Sequence, residues 1–176
     1  MQVELKSFKE HKELSDDSLA FSASLWIDGK RTAIVTNEGQ GGMHRIQPTG
    51  PTLEKLKANR IKLDEFEAYC KTLPDKIETP TWNDGKPYSI PMDSDVYIND
   101  LVEEIFKELD KKHEEKFWKK LCAKGVVIRL VDFKEGQSTT VKMKSGATPR
   151  YTPEIATQVR RAYGDKLVEI VNERYL

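Results

Sequence analysis

Three glycines in four positions, Gly39-Gln40-Gly41-Gly42, are preceded by Asn37 and Glu38 and followed after Met43 by an imidazole, His44, and a guanidinium, Arg45. Glycines admit positive φ and close approach of the backbone to a ligand, so successive N–H groups here can form an anion nest. His44 and Arg45 would add side-chain contacts to a phosphate or carboxylate. The same glycines also suit a wide bulge or loop in which they only turn the chain. The spacing is neither GxGxxG opening a helix nor GxxxxGK followed by Ser or Thr, so neither nucleotide motif is present.

Catalysis would need more than His44, because a general base requires an orienting partner and a reacting group in reach. His11, His44 and His113 with Cys70 and Cys122 show no HxxxH, CxxC or HExxH spacing, so no zinc site and no cofactor is implied. Asp16-Asp17 and Asp93-Ser94-Asp95 bring carboxylates together, which suits a divalent cation, yet each directly precedes a strand or helix pattern where turn and capping roles suffice. No GxSxG or SxxK nucleophile motif occurs.

The glycine segment follows a strongly patterned hairpin. From Ser18 to Ile27 the residues alternate, with Leu19, Phe21, Ala23, Leu25 and Ile27 on one face. Asp28-Gly29 then supplies the two positive φ values of a type I′ turn, and Arg31–Thr36 returns as the partner strand. A two-residue turn pairs Ile27 with Lys30, Trp26 with Arg31, Leu25 with Thr32 and Ala23 with Ile34. Trp26 and Arg31 would then stack on the less apolar face, as a surface cation–π pair or as part of a ligand platform.

Gln2–Phe8 alternates and predicts a third strand beside the hairpin. Gly125–Phe133 and Ser138–Lys144 are β-branched runs joined by a four-residue loop, Lys134–Gln137, and predict a second hairpin. Together these predict an α+β fold with an antiparallel sheet of about five strands, packed with three or four helices. Thr52–Leu73 reads as a helix broken near Asp64, and Pro74–Pro91, with four prolines and an Asn-Asp-Gly turn, as an ordered irregular loop.

The stripe Ile98, Leu101, Val102, Ile105, Phe106, Leu109, His113, Phe117, Trp118 and Leu121 predicts a long helix, capped by Ser94 or Asp95 and stopped by Gly125. Its other face mixes charges at i+3 and i+4 spacing and reads as solvated. Thr152-Pro153-Glu154 starts a C-terminal helix, with stripes at Ile155, Val159, Ala162, Tyr163 and, past a stop-and-restart at Gly164-Asp165, at Leu167, Ile170, Val171 and Tyr175. Lys134, Lys142, Lys144, Arg150, Arg160 and Arg161 cluster in the same third of the chain, as edge protection for a strand or as a nucleic-acid patch.

The 176 residues fit one domain, 1–176, with enough apolar content (38%) for a core. Twenty-nine basic and 29 acidic residues cancel, which argues against a duplex-DNA binder. The charged N-terminus has no signal-peptide core, and no window approaches the ~18 apolar residues of a membrane span, so the expected location is cytoplasmic. Cys70 and Cys122 lie in helical stripes and read as free buried thiols.

The segment Phe21–Ile46, FSASLWIDGKRTAIVTNEGQGGMHRI, resembles small uncharacterised proteins of bacteria and tailed phages that share its strand, Asp-Gly-Lys turn, strand and Asn-x-Gly-x-Gly-Gly loop. The resemblance implies a phage accessory or counter-defence setting and carries no catalytic residue. Three readings follow. The first is a non-catalytic binder of a small anionic or nucleotide-like ligand, using Asn37, Gly39, Gln40, Gly41, Gly42, His44 and Arg45 with Arg31, and with Trp26 or Trp82 available for stacking. The second is a protein-interaction module or inhibitor of a host enzyme, acting through a sheet face or Pro74–Pro91. The third, ranked last, is a small hydrolase or nuclease based on His44.

Overall fold

The computed structural model describes residues 1–80, 84–134, 137–143 and 146–175. Trp82, Lys144 and much of the Lys134–Gln137 loop lie outside the described residues. The fold is α+β, with four helices and nine antiparallel strands among the described residues, distributed over three sheets. The chain divides into two compact units, Met1–Ile105 and Phe106–Leu176.

The first unit is built on a four-stranded sheet in the order β1 (Val3–Glu10), β2 (Ala20–Ile27), β3 (Lys30–Glu38), β4 (Arg45–Pro48). Asp28 and Gly29 take φ of 50° and 74°, as a type I′ turn requires, and pair Ile27 with Lys30 and Trp26 with Arg31. The expected register then fails, because a bulge makes Thr32 the extra residue. Leu25 faces Ala33, and Ala23 faces Val35 instead of Ile34. The shift puts Val35 into the core and turns Ile34 outward, while the buried Thr32 hydroxyl bonds the Lys30 carbonyl at 3.1 Å. Phe21, Ala23, Leu25, Ile27, Ala33 and Val35 are all buried on the inward face.

Helix α1 (Leu53–Cys70) runs unbroken, contrary to the expected break at Asp64. Thr52 caps it by accepting from the Lys55 N–H, and Asp64 pairs with Arg60 one turn back rather than starting a new helix. Leu63, Phe66 and Cys70 form its buried stripe. The Pro-rich stretch that reads as irregular contains a short antiparallel pair, β5 (Lys76–Glu78) with β6 (Tyr88–Ile90). Helix α2 (Ser94–Cys122) has its buried positions at Ile98, Val102, Trp118 and Cys122, whereas His113 and Phe117 of the predicted stripe are exposed.

The second unit holds the sheet β8 (Thr139–Thr140), β7 (Val127–Leu130), β9 (Leu167–Ile170). The second hairpin is present, with Val127 opposite Thr140, but in its own sheet. Leu167–Ile170, which fits a helical stripe by spacing, is a strand paired with β7. Helix α3 (Pro153–Tyr163) ends at Gly164, whose φ of 50° stops it, and only the short α4 (Asn172–Tyr175) is helical beyond. Ile128 packs with Val126, Ala156, Val159 and Ile170, and Val127 with Trp118, Cys122 and Val171. Asn172, fully buried, accepts from the Val127 N–H at 2.7 Å and donates to the carbonyls of Cys122 and Gly125, closing the end of α2.

Candidate functional site

Asn37 ends the inward row of β3 opposite Phe21 and is 9% exposed. A buried amide must find partners for both its ends. Its Oδ1 accepts from the Gly39 N–H at 2.8 Å and the Ser18 hydroxyl at 3.2 Å, and its Nδ2 donates to the Gly42 carbonyl at 3.1 Å and to His44 Nδ1 at 3.0 Å. One side chain thus ties the whole turn together. Gly39 has φ of 83°, and a Cβ there would lie 2.3 Å from the Leu14 carbonyl oxygen. That close approach lets the Gly39 carbonyl accept from the N–H groups of Asp16 and Ser18.

Two amides of the glycine segment therefore point inward. The Gly39 N–H goes to Asn37, and the Gly41 N–H to the Ser18 hydroxyl at 3.0 Å. An anion nest needs consecutive N–H groups directed at the ligand, so the glycines serve first to lace this loop to residues 14–18.

His44 opens onto α2. Its N–H donates to Asp95 Oδ1 at 2.6 Å, and its Nε2 lies 3.0 Å from Asn99 Oδ1. Because Nδ1 accepts from Asn37, the proton of the neutral ring sits on Nε2 and is donated to Asn99. The Phe21 ring meets the imidazole edge-on at 5.2 Å. Asp95 is free for this because Asp93 caps α2, accepting from the Val96 N–H at 2.9 Å, whereas Ser94 or Asp95 was the expected cap. Ser94 gives its N–H to Glu67 instead. Asp95 and Asn99, one turn apart, share a helix face and hold His44 by backbone and ring. Each ring nitrogen is paired with an amide, and the nearby carboxylate binds the main chain, an arrangement that orients His44 without activating it as a base.

Outside this latch lies a depression of about 330 Å³, lined by Thr36, Asn37, Glu38, Gln40, Gly42, Met43 and Arg45. Arg45 pairs with Thr36 across β3 and β4 and is exposed. With its amide oxygen turned toward the guanidinium, Gln47 accepts from Arg45 Nε and Nη2 at 3.0 and 2.9 Å. Arg45 has no carboxylate within ion-pair distance among the described residues. Met43 is 76% exposed at the rim.

Trp26 and Arg31 are not part of this cluster. They sit at the turn end of the hairpin, five residues from the Phe21–Asn37 pair, or about 16 Å along the strand. The cation over the Trp26 ring is Lys6 Nζ, 4.5 Å from its centroid. Of the expected site residues, the fold brings together Asn37, Gly39, Gln40, Gly41, Gly42, His44 and Arg45. It adds Ser18, Asp95 and Asn99, of which only the Asp95/Asn99 spacing on one helix face leaves a trace in the sequence.

No group of three His, Cys, Asp or Glu side chains able to share a metal occurs among the described residues. No helix is long and apolar enough to cross a membrane among them. Compared with protein-family models, curated proteins and solved structures, the chain matches none.

Proposed function

We propose that the protein is a non-catalytic binder of a small anionic, nucleotide-like ligand, held in the depression beside Arg45. The observation that carries this reading is Arg45 itself: an exposed guanidinium, aimed by Gln47, without a carboxylate partner among the described residues, at the edge of a concave surface. A planar guanidinium in that setting suits a phosphate oxygen pair. Glu38, on the same wall, accepts from N–H or hydroxyl donors, so the depression favours a ligand that carries both a phosphate and a donor-bearing ring or sugar. His44 and the glycines act by fixing the wall. The resemblance of Phe21–Ile46 to phage and bacterial proteins makes host signalling nucleotides the first ligands to try, with sequestration as the role.

A thermal-shift and calorimetric screen of mononucleotides and cyclic nucleotides tests this. At least one is expected to bind, and Arg45→Ala should remove that binding while leaving the ligand-free melting temperature unchanged. Silence across the panel, or a hit indifferent to Arg45→Ala, would overturn it.

A further inference from the structure

The outward face of the four-stranded sheet carries a pattern that the depression does not use. Cross-strand partners share a face. The registers therefore line up Lys9, Ser22, Thr36 and Arg45 as one row across all four strands. Lys6, Ser24, Ile34 and Gln47 form the next row, and Glu4, Trp26 and Arg31 the third. Phe8 stacks on Phe21 at 5.2 Å on the inward face, which confirms that Lys9 points outward past the bulge in β1.

The middle of this face holds the short hydroxyl side chains Ser22, Ser24 and Thr36 with Ile34, all half-buried among their neighbours, and the His11 ring lies 3.1 Å from the Ser22 hydroxyl, while cations stand at the edges. Glu4 is neutralised by Lys6 at 2.8 Å, and among the described residues of these rows the other nearby carboxylate is Glu38, at the loop end. Lys9, Arg31 and Arg45 have no carboxylate within ion-pair distance among the described residues. Three strand spacings separate Lys9 from Arg45, about 14 Å, and four residues of β2, Ser22 to Trp26, separate the Arg31 row from that row, about 13 Å. One small anion cannot serve cations that far apart. A chain of phosphates can, and it can lie close to the sheet where the side chains are short.

We propose that this outward face binds single-stranded nucleic acid, with Lys9, Arg31 and Arg45 on phosphates, the hydroxyls of Ser22, Ser24 and Thr36 beneath the backbone, and Trp26 stacking a base. Trp26 favours a nucleic acid over an acidic peptide, since every base offers a face to its ring. Lys6, which lies over that ring and is about half exposed, is a flexible side chain that a base displaces. The balanced net charge is compatible with a single strand on one local patch. The proposal shares Arg45 with the nucleotide reading and extends it, the depression taking the terminal nucleotide of the strand.

Fluorescence anisotropy with 5′-labelled twelve-residue oligo-dT and oligo-rU tests it. Binding is expected at 50 mM salt, to weaken about tenfold or more by 200 mM as counterion release requires. The double variant Lys9→Glu/Arg31→Glu should weaken it about tenfold or more while leaving mononucleotide binding intact, and Trp26→Phe should remove ligand-induced tryptophan quenching. Failure to bind at 50 mM salt, indifference to the double variant, or competition by polyglutamate as effective as by oligonucleotide would overturn it. Oligonucleotide binding that needs Lys9 and Arg31 with no mononucleotide hit would sustain the sheet face and sink the small-ligand reading. Mononucleotide binding without oligonucleotide binding would do the reverse.

Discussion

Asn37 Nδ2 lies 3.0 Å from His44 Nδ1, and through that contact the end of β3 fixes both the glycine turn and the ring that reaches α2. Asn37→Ala removes four hydrogen bonds at a buried position and leaves the Gly39 N–H and Gly42 carbonyl without their partner. The expected loss is about 2–4 kcal/mol for the unit Met1–Ile105. Ser18→Ala, which removes one hydroxyl bridging Asn37 and Gly41, should cost about 1 kcal/mol. Urea unfolding of both variants checks this, and an Asn37→Ala protein no less stable than Ser18→Ala would refute the latch.

The three glycines should rank by what surrounds them rather than by sequence. Gly39→Ala combines positive φ with a Cβ 2.3 Å from a backbone oxygen, and about 3 kcal/mol or more is expected. Gly41→Ala suffers only its φ of 75°, the nearest atom being Asp17 Cβ at 3.6 Å, and should cost about 1–2 kcal/mol. Gly42→Ala meets nothing within 4 Å and should stay within about 0.5 kcal/mol of wild type. Equal costs at Gly39 and Gly42 would contradict the packing of this loop on Leu14 and Ser15.

The hairpin was legible because alternation and Asp-Gly are local signals with one geometric solution. The bulge at Thr32 was not, since it is chosen by which of Ile34 and Val35 fits the core, a tertiary preference. Leu167, Ile170 and Val171 fit helical spacing, and four residues are too few to separate a period of 3.6 from one of 2. At the candidate site the sequence shows Asn37, the glycines, His44 and Arg45 as neighbours. What decides their chemistry arrives from Ser18, 19 residues before Asn37, and from Asn99, 55 residues beyond His44. Those partners turn an apparent phosphate cradle into a latch, and leave Arg45 as the group facing outward.

Both cysteines should be silent in the native protein. Burial, reinforced by the nearby Glu67 and Asp93, pushes the Cys70 thiol up to about 12, and burial raises Cys122 as well. At pH 8 the Cys70 thiolate fraction is then on the order of one in ten thousand. A thiol-reactive probe should label neither residue under native conditions and both in guanidinium chloride. Rapid native labelling of Cys70 would mean that the α1 stripe opens far more readily than its packing implies.

Glu67 joins α1 to the start of α2. The Ser94 hydroxyl and N–H, with Lys71 one turn on, hold its carboxyl below the usual carboxylate range against the opposing effect of burial. A folded-state value below the unfolded one means stability that is present above the unfolded pKa, near 4.3, and lost as pH falls through the folded one. Because the side chain is 37% exposed, solvent screening limits the contribution to about 1 kcal/mol or less. Glu67→Gln should therefore be less stable than wild type at pH 7, and the gap should close on acidification toward pH 3. Denaturant midpoints at the two pH values measure it. A gap that is constant with pH would assign the Glu67 contribution to packing, and a gap that widens in acid would reverse the sign derived from its partners.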